Sequence, residues 1–194
     1  VIRPQFRIVK EIRMNLFLKW FSLRFPEVPL LFVIRHPCAV VLSRMQWGWD
    51  SASDLASFMA QPALVEDYLA DKLEVIEGAR TEEQKHALVW CISNLVPLRQ
   101  FAGSELPVFL YERMVDRPER EVPRLFNSIG QDYAPSVFKA LRRPSSSTPA
   151  DSAVMHGRPS ASSWKSKLSR RKIDEILAVV DAFGLRYLYA DDRP

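Results

Sequence analysis

The apolar residues of this chain fall into two patterns, short unbroken runs and longer stretches at helical spacing. Phe6 to Val9 form the first short run and end in Lys10, Glu11, Ile12 and Arg13, which reads as a brief strand. Leu16, Phe17, Trp20, Phe21 and Phe25 then recur at helical spacing against Asn15, Lys19, Ser22 and Arg24, predicting an amphipathic helix closed by the turn Pro26-Glu27-Val28-Pro29. Leu30 to Ile34 are an uninterrupted run of branched and aromatic side chains. This is the pattern of a strand covered on both faces of a parallel sheet. Arg35 ends the run, Pro37 suits the first position of a helix, and Ala39 to Met45 have the composition of a buried helix. Residues 6 to 46 therefore read as β-α-β-α with a right-handed crossover.

From 51 to 103 the pattern turns helical and more acidic. Val65, Tyr68, Leu69, Leu73 and Ile76 mark one apolar face, with Glu66, Asp67, Asp71, Glu74 and Glu77 on a solvated one. A second helix is predicted from about Glu82, with Ala87, Leu88, Cys91, Ile92 and Leu95 inward and Pro97 ending or kinking it. Leu106 to Tyr111 is the next strand. The helix after it is signalled by Asp116 and Glu119 at capping-box spacing and by Gly130 as a stop, with Pro123 inside it. Residues 144 to 163 are rich in Ser, Pro and Ala without a period, so this loop is either disordered or functional. The last helix is capped by Ser169 and ended by Gly184, and its first turn holds Arg170, Arg171 and Lys172 against the helix dipole.

Length and composition narrow the class. The 194 residues suit one α/β domain, and 47% hydrophobic with 26% charged residues suits a globular one. The net charge of +4 is spread along the chain, which fits the handling of anionic small molecules; a nucleic-acid binder would gather its cations on one element. No apolar run approaches the length of a membrane span and no leader pattern opens the chain, so the expectation is a cytoplasmic protein with no membrane partner. Cys38 and Cys91 fall in segments that read as buried helices, which points to a reducing compartment. His36, His86 and His156 lack metal-ligand spacing, so no metal site is expected. Oligomeric state leaves no mark on the sequence.

The candidate chemistry starts at Arg35. A permanent cation at the carboxyl end of a strand, followed at once by a helix start, stands where open α/β sheets bind ligands and where free N–H groups meet an anion. Ser43 follows eight residues later, a hydroxyl in an otherwise apolar helix. The alternatives are an arginine paired with a carboxylate and a serine bonded back to the carbonyl of Ala39.

Arg35, Pro37 and Ser43 at this spacing resemble the 3'-phosphate motif of sulfotransferases that use 3'-phosphoadenosine-5'-phosphosulfate (PAPS). The resemblance implies that Arg35 forks two N–H groups onto the 3'-phosphate and that Ser43 adds a hydroxyl. Tyr111 and Glu112, in the run YERMVDRP, are similar to the family's tyrosine-glutamate segment and would set Tyr111 near the adenine. Arg158 would belong to a lid over the nucleotide, and Lys165, beside Trp164, to the 3'-phosphate. Lys10 and Glu11 are the local candidates for the chemistry: Ile12 stands where the cytosolic members carry a histidine base, Glu11 is the nearest carboxylate that could serve in its place, and the alternative is a Lys10-Glu11-Arg13 surface ion network. The helical stretch at 51 to 103 would shape the acceptor pocket, with Trp47, Trp49 and Trp90 as lining candidates.

The resemblance implies one three-layer, P-loop-like domain over residues 1–194, a parallel sheet flanked by helices, that moves a sulfuryl group from PAPS to a hydroxyl or amine of a small molecule or glycan without a metal. Two departures are visible. His36 replaces the family's usual Asp or Asn, which cap a helix better. No stretch matches the small-residue loop that cradles the 5'-phosphosulfate, and the chain opens on Val1, so an N-terminal portion is expected to be missing. The rival readings are a non-catalytic remnant that binds 3'-phosphonucleotides and a fragment of another α/β phosphotransferase.

Overall fold

A computed structural model describes residues 8–103, 106–141 and 161–189. The apolar run at 30–34 becomes strand β1 (Phe32–Ile34), and the run at 106–111 becomes β2 (Val108–Leu110). The two are parallel and pair Phe32 with Val108, Val33 with Phe109 and Ile34 with Leu110. Phe32 and Ile34 are buried, whereas Val33, pointing the other way, is 49% exposed. The described sheet is thus well covered on one face of β1, where both faces were expected to be. On the Val33 side Phe109 is buried, with the Arg124 guanidinium 3.8 Å from its ring centroid.

Two expectations near the amino end meet a different outcome. Ile8, Val9 and Lys10 are exposed irregular chain, and the rest of the expected strand at 6–9 lies outside the described residues. The following helix is shorter than its pattern, a 3₁₀ turn at Asn15–Phe17 and then α1 (Leu18–Arg24). Phe17 and Trp20, read as part of its inner face, are exposed, because the packing against the body is made by Leu16 and Leu18.

Helix α2 (Pro37–Gln46) leaves β1 directly, and α3 (Ser51–Met59) follows it. The expected helix over 65–76 is broken. It becomes α4 (Pro62–Leu64), a π turn, a 3₁₀ turn and α5 (Leu73–Gly78). The centre of the core is α6 (Glu82–Gln100), packed on by α2 and α3 and later by the last long helix. Its start is a capping box in which the Thr81 hydroxyl accepts from the Gln84 N–H and the Gln84 side chain accepts from the Thr81 N–H. Pro97 does not end it. Proline has no N–H for the carbonyl of Ser93, and the Asn15 side-chain amide donates to that carbonyl instead at 3.1 Å. The helix runs on with Pro97 buried.

At the end of β2 the chain turns at once into α7 (Tyr111–Asp116) and then α8 (Pro118–Ser128). Asp116 is therefore the last residue of one helix and not the cap of the next, which opens on Pro118 after Arg117. Gly130, with φ of 63°, stops α8 as its position suggested. The short α9 (Ser136–Ala140) precedes the expected loop at 144–163, nearly all of which lies outside the described residues.

A 3₁₀ turn at Ser163–Ser166 leads to α10 (Arg170–Ala182), capped by the Ser169 hydroxyl and stopped at Gly184 (φ 71°). The cations of its first turn each find a carboxylate: Arg170 with Asp174, Arg171 with Glu175 and Lys172 with Glu83. Those pairs offset part of the unfavourable helix dipole. Cys38 and Cys91 are both buried in the core and neither is in a disulfide.

Candidate functional site

Because β1 and β2 end in register at Ile34 and Leu110, the next residue of each, Arg35 and Tyr111, emerges at the same carboxyl edge of the sheet. The Arg35 guanidinium carbon lies 5.1 Å from the centroid of the Tyr111 ring, a cation–π pair. Arg35 is exposed, and among the described residues it forms no ion pair with a carboxylate. A guanidinium held against an aromatic face with its fork open to solvent can accept a phosphate.

The backbone beneath Arg35 is held by residues from three distant elements. The Trp90 indole N–H donates to the Arg35 carbonyl at 2.9 Å. The His36 N–H donates to Glu112 Oε1 at 2.9 Å. The Tyr189 hydroxyl lies 2.9 Å from Glu112 Oε2 and 3.3 Å from the Ile34 carbonyl oxygen. His36 itself is buried between rings, stacked on Trp164 at 4.3 Å and meeting Tyr189 edge-on at 4.7 Å. Its Nδ1 accepts from the Cys38 N–H at 3.2 Å and so caps α2. Histidine is a poor cap in general, yet here the sandwich fixes the ring where an Asp or Asn oxygen would sit.

Burying Glu112 raises its pKa, opposed by the His36 N–H, the Tyr189 hydroxyl and the nearby Arg35 charge. The Tyr189 hydroxyl is pushed far up, by burial and by the adjacent carboxylate, and keeps its proton to donate. Glu112 is thus a buried acid satisfied on both oxygens.

Arg35 and Tyr111 are the two expected binding residues that the fold places in contact. Lys165 is exposed, its ammonium 5.4 Å from the Trp164 ring that covers His36, so its segment does reach the Arg35 turn. Ser43 is half-buried on the second turn of α2, about 9 Å from Pro37 along the axis. Its hydroxyl makes no bond back to Ala39 or to another described side chain. Lys10 and Glu11 lie in exposed chain, where Glu11 Oε1 accepts from the N–H groups of Ile12 and Arg13. The next cation, Arg13, reaches over Trp49, beyond the carboxyl end of α2 and at the opposite end from Arg35. Arg158 lies outside the described residues. Of the tryptophans, Trp90 is in the core, Trp47 is exposed, and Trp49 packs against Arg13 and Arg44.

A second polar cluster supports the far end of α2. Arg44 Nε donates to His86 Nδ1 at 3.1 Å, and its guanidinium also pairs with Asp54 and covers the Trp49 ring. Burial and the Arg44 charge hold the His86 pKa below its ordinary 6.5. Below that value the unfolded chain takes up a proton that the folded one refuses, so this part of the stability is complete above about pH 6.5 and is lost as pH falls through the lowered folded value. The melting temperature should therefore drop more between about pH 7.5 and about pH 5.5 in the parent than in His86→Gln, which accepts from Arg44 without titrating. Equal drops would remove His86 as the source.

No protein-family profile matches the chain, and no solved structure matches it. Among curated proteins it is 25% identical over 186 residues to nodulation protein NoeE of Sinorhizobium fredii (strain NBRC 101917 / NGR234), an alignment covering 91% of this chain and 42% of that protein. The chain therefore spans less than half the length of this relative. Among the described residues, no helix is long and apolar enough to cross a membrane.

Proposed function

We propose that this chain belongs to a PAPS-dependent sulfotransferase and carries its 3'-phosphate-binding region. The observation that supports this most is the presentation of Arg35, exposed, unpaired with any described carboxylate and laid against Tyr111 at the carboxyl edge of the sheet. The similarity to nodulation protein NoeE covers most of this chain but names no reaction, so the transferase reading rests on the residues themselves.

In this reading Arg35 forks onto the terminal phosphate, and the half-buried Ser43 hydroxyl, which has no internal partner among the described residues, donates to it. Tyr111 packs on the adenine side, and Lys165 adds a second cation from the Trp164 segment. The co-substrate supplies the sulfuryl group, which passes in line to an acceptor hydroxyl or amine while the acceptor proton leaves to a base. Lys10 and Glu11 are the candidates for that chemistry, and Arg158 for the lid. Positioning and charge stabilisation would account for most of the rate, as in phosphoryl transfer.

Thermal unfolding with and without adenosine-3',5'-bisphosphate tests the reading. At a hundredfold excess over Kd, a ligand that binds only the folded state adds about 2.7 kcal/mol, or roughly 5–10 °C for a domain of this size. Adenosine 5'-monophosphate, which lacks the 3'-phosphate, should give a much smaller shift. Stabilisation by ATP with magnesium alone would reject the sulfotransferase reading. Binding of the bisphosphate without sulfate transfer to any acceptor would leave only the non-catalytic binding module.

A further inference from the structure

The Arg35 carbonyl and the His36 N–H are each held by a side chain remote in sequence, Trp90 and Glu112, and the Tyr189 hydroxyl, with one proton to give, lies at Glu112 and more loosely at the Ile34 carbonyl. Glu112 Oε1 takes the N–H of the residue after Arg35. Glu112 Oε2 takes the Tyr189 hydroxyl, which also lies at the carbonyl of the residue before Arg35. We infer that Glu112, backed by Tyr189, is a positioning residue that sets the direction in which Arg35 leaves the sheet. This deepens the function proposed above and rests on it for the identity of the ligand.

The chemistry of the position favours this role over plain packing. Glu112 is 3% exposed. Burying a carboxylate is costly, and an apolar side chain of similar size would fill the same space without that cost. What an apolar side chain lacks is a pair of acceptors at a fixed separation, able to tie the α2 turn and the carboxyl-terminal segment to one point. Holding the Arg35 carbonyl and the N–H of the next residue keeps the Arg35 side chain in one orientation against Tyr111, so less freedom is lost when an anion binds.

The test measures the affinity of adenosine-3',5'-bisphosphate by calorimetry for the parent chain, Glu112→Ala, Glu112→Gln, Tyr189→Phe, Arg35→Ala and the double variant Arg35→Ala with Glu112→Ala. Glu112→Ala should weaken binding about tenfold or more, while Glu112→Gln, which keeps an acceptor for the His36 N–H, stays within about threefold of the parent. Tyr189→Phe should fall between them. In the Arg35→Ala background, Glu112→Ala should cost less than about twofold, because a residue that acts through Arg35 has nothing left to position. A loss of the same size with and without Arg35, or parent-like binding by Glu112→Ala, overturns the inference.

Amide hydrogen exchange at His36 gives a readout that needs no ligand. It should quicken about tenfold or more in Glu112→Ala and in Tyr189→Phe should quicken less. If the parent fails to bind the bisphosphate, the proposed function falls while His36 exchange still judges the positioning role. Unchanged exchange in both variants rejects that role whatever binds. If Glu112→Ala does not fold, Tyr189→Phe and Glu112→Gln carry the same comparison.

Discussion

Arg35→Ala should weaken binding of adenosine-3',5'-bisphosphate by about a hundredfold or more with the fold intact. A hydrogen bond to a charged group contributes roughly 1.5–3 kcal/mol, and a guanidinium that forks onto a phosphate makes two. At 1.4 kcal/mol per tenfold, their joint loss corresponds to about two decades or more in Kd. The stability should move by less than about 0.5 kcal/mol, because the side chain is exposed and forms no ion pair with a described carboxylate. Arg35→Lys should recover only part of the affinity, since an ammonium brings the charge without the planar fork. Calorimetry on the three proteins, with urea unfolding as the control for folding, decides the matter. Parent-like affinity in Arg35→Ala would remove the assignment of the anion site to this edge of the sheet.

Local signals in the sequence foretold the local structure well. A strand-ending arginine followed by a proline marked β1, its turn and α2, and Ser169, Gly130 and Gly184 each cap or stop a helix as their chemistry requires. The apolar positions read on the 82–95 stretch are all buried in α6. Where a residue's fate depends on a partner far along the chain, pattern reading had no access to it. An unbroken apolar run looks the same whether one face or both are covered, which is why Val33 emerged half exposed. Pro97 reads as a helix end until the amide of Asn15 is found at the carbonyl it leaves open.

The support of the site was hidden for the same reason. Glu112 lies 76 residues from the N–H it accepts, Trp90 lies 55 from the carbonyl it donates to, and Tyr189 lies 155 from Ile34. Each of these polar groups has the composition of an ordinary surface or core residue when met in order. One signal was available in retrospect: a glutamate directly after a strand-ending tyrosine, in a stretch that folds at once into a helix, is poorly placed to reach water. His36 shows the converse, a residue judged weak in its cap position by propensity and made effective by two rings that only tertiary structure brings to it.

Trp164→Ala should be the most destabilising of the single substitutions considered, by about 3–5 kcal/mol against a total of roughly 5–15 kcal/mol for a domain. Trp164 is 3% exposed and belongs to the same buried cluster as β1, α2, α6 and α10. Its ring stacks on His36, so the truncation opens a cavity beside the one residue whose N–H and Nδ1 anchor the turn. Trp164→Phe keeps an aromatic face for the stack and should cost less than half as much. Urea unfolding should show the midpoint falling in that order with an unchanged slope, because the surface exposed on unfolding is nearly the same. Both variants should also weaken bisphosphate binding, Trp164→Ala the more, although neither removes a charge. The reason is mechanical: with the ring gone, His36 is free to rock about its backbone, and the guanidinium one residue earlier loses its bearing. A loss in stability below about 1 kcal/mol for Trp164→Ala would mean that the 161–168 segment does not pack on the turn in solution, and the link between the carboxyl-terminal helix and the anion site would go with it.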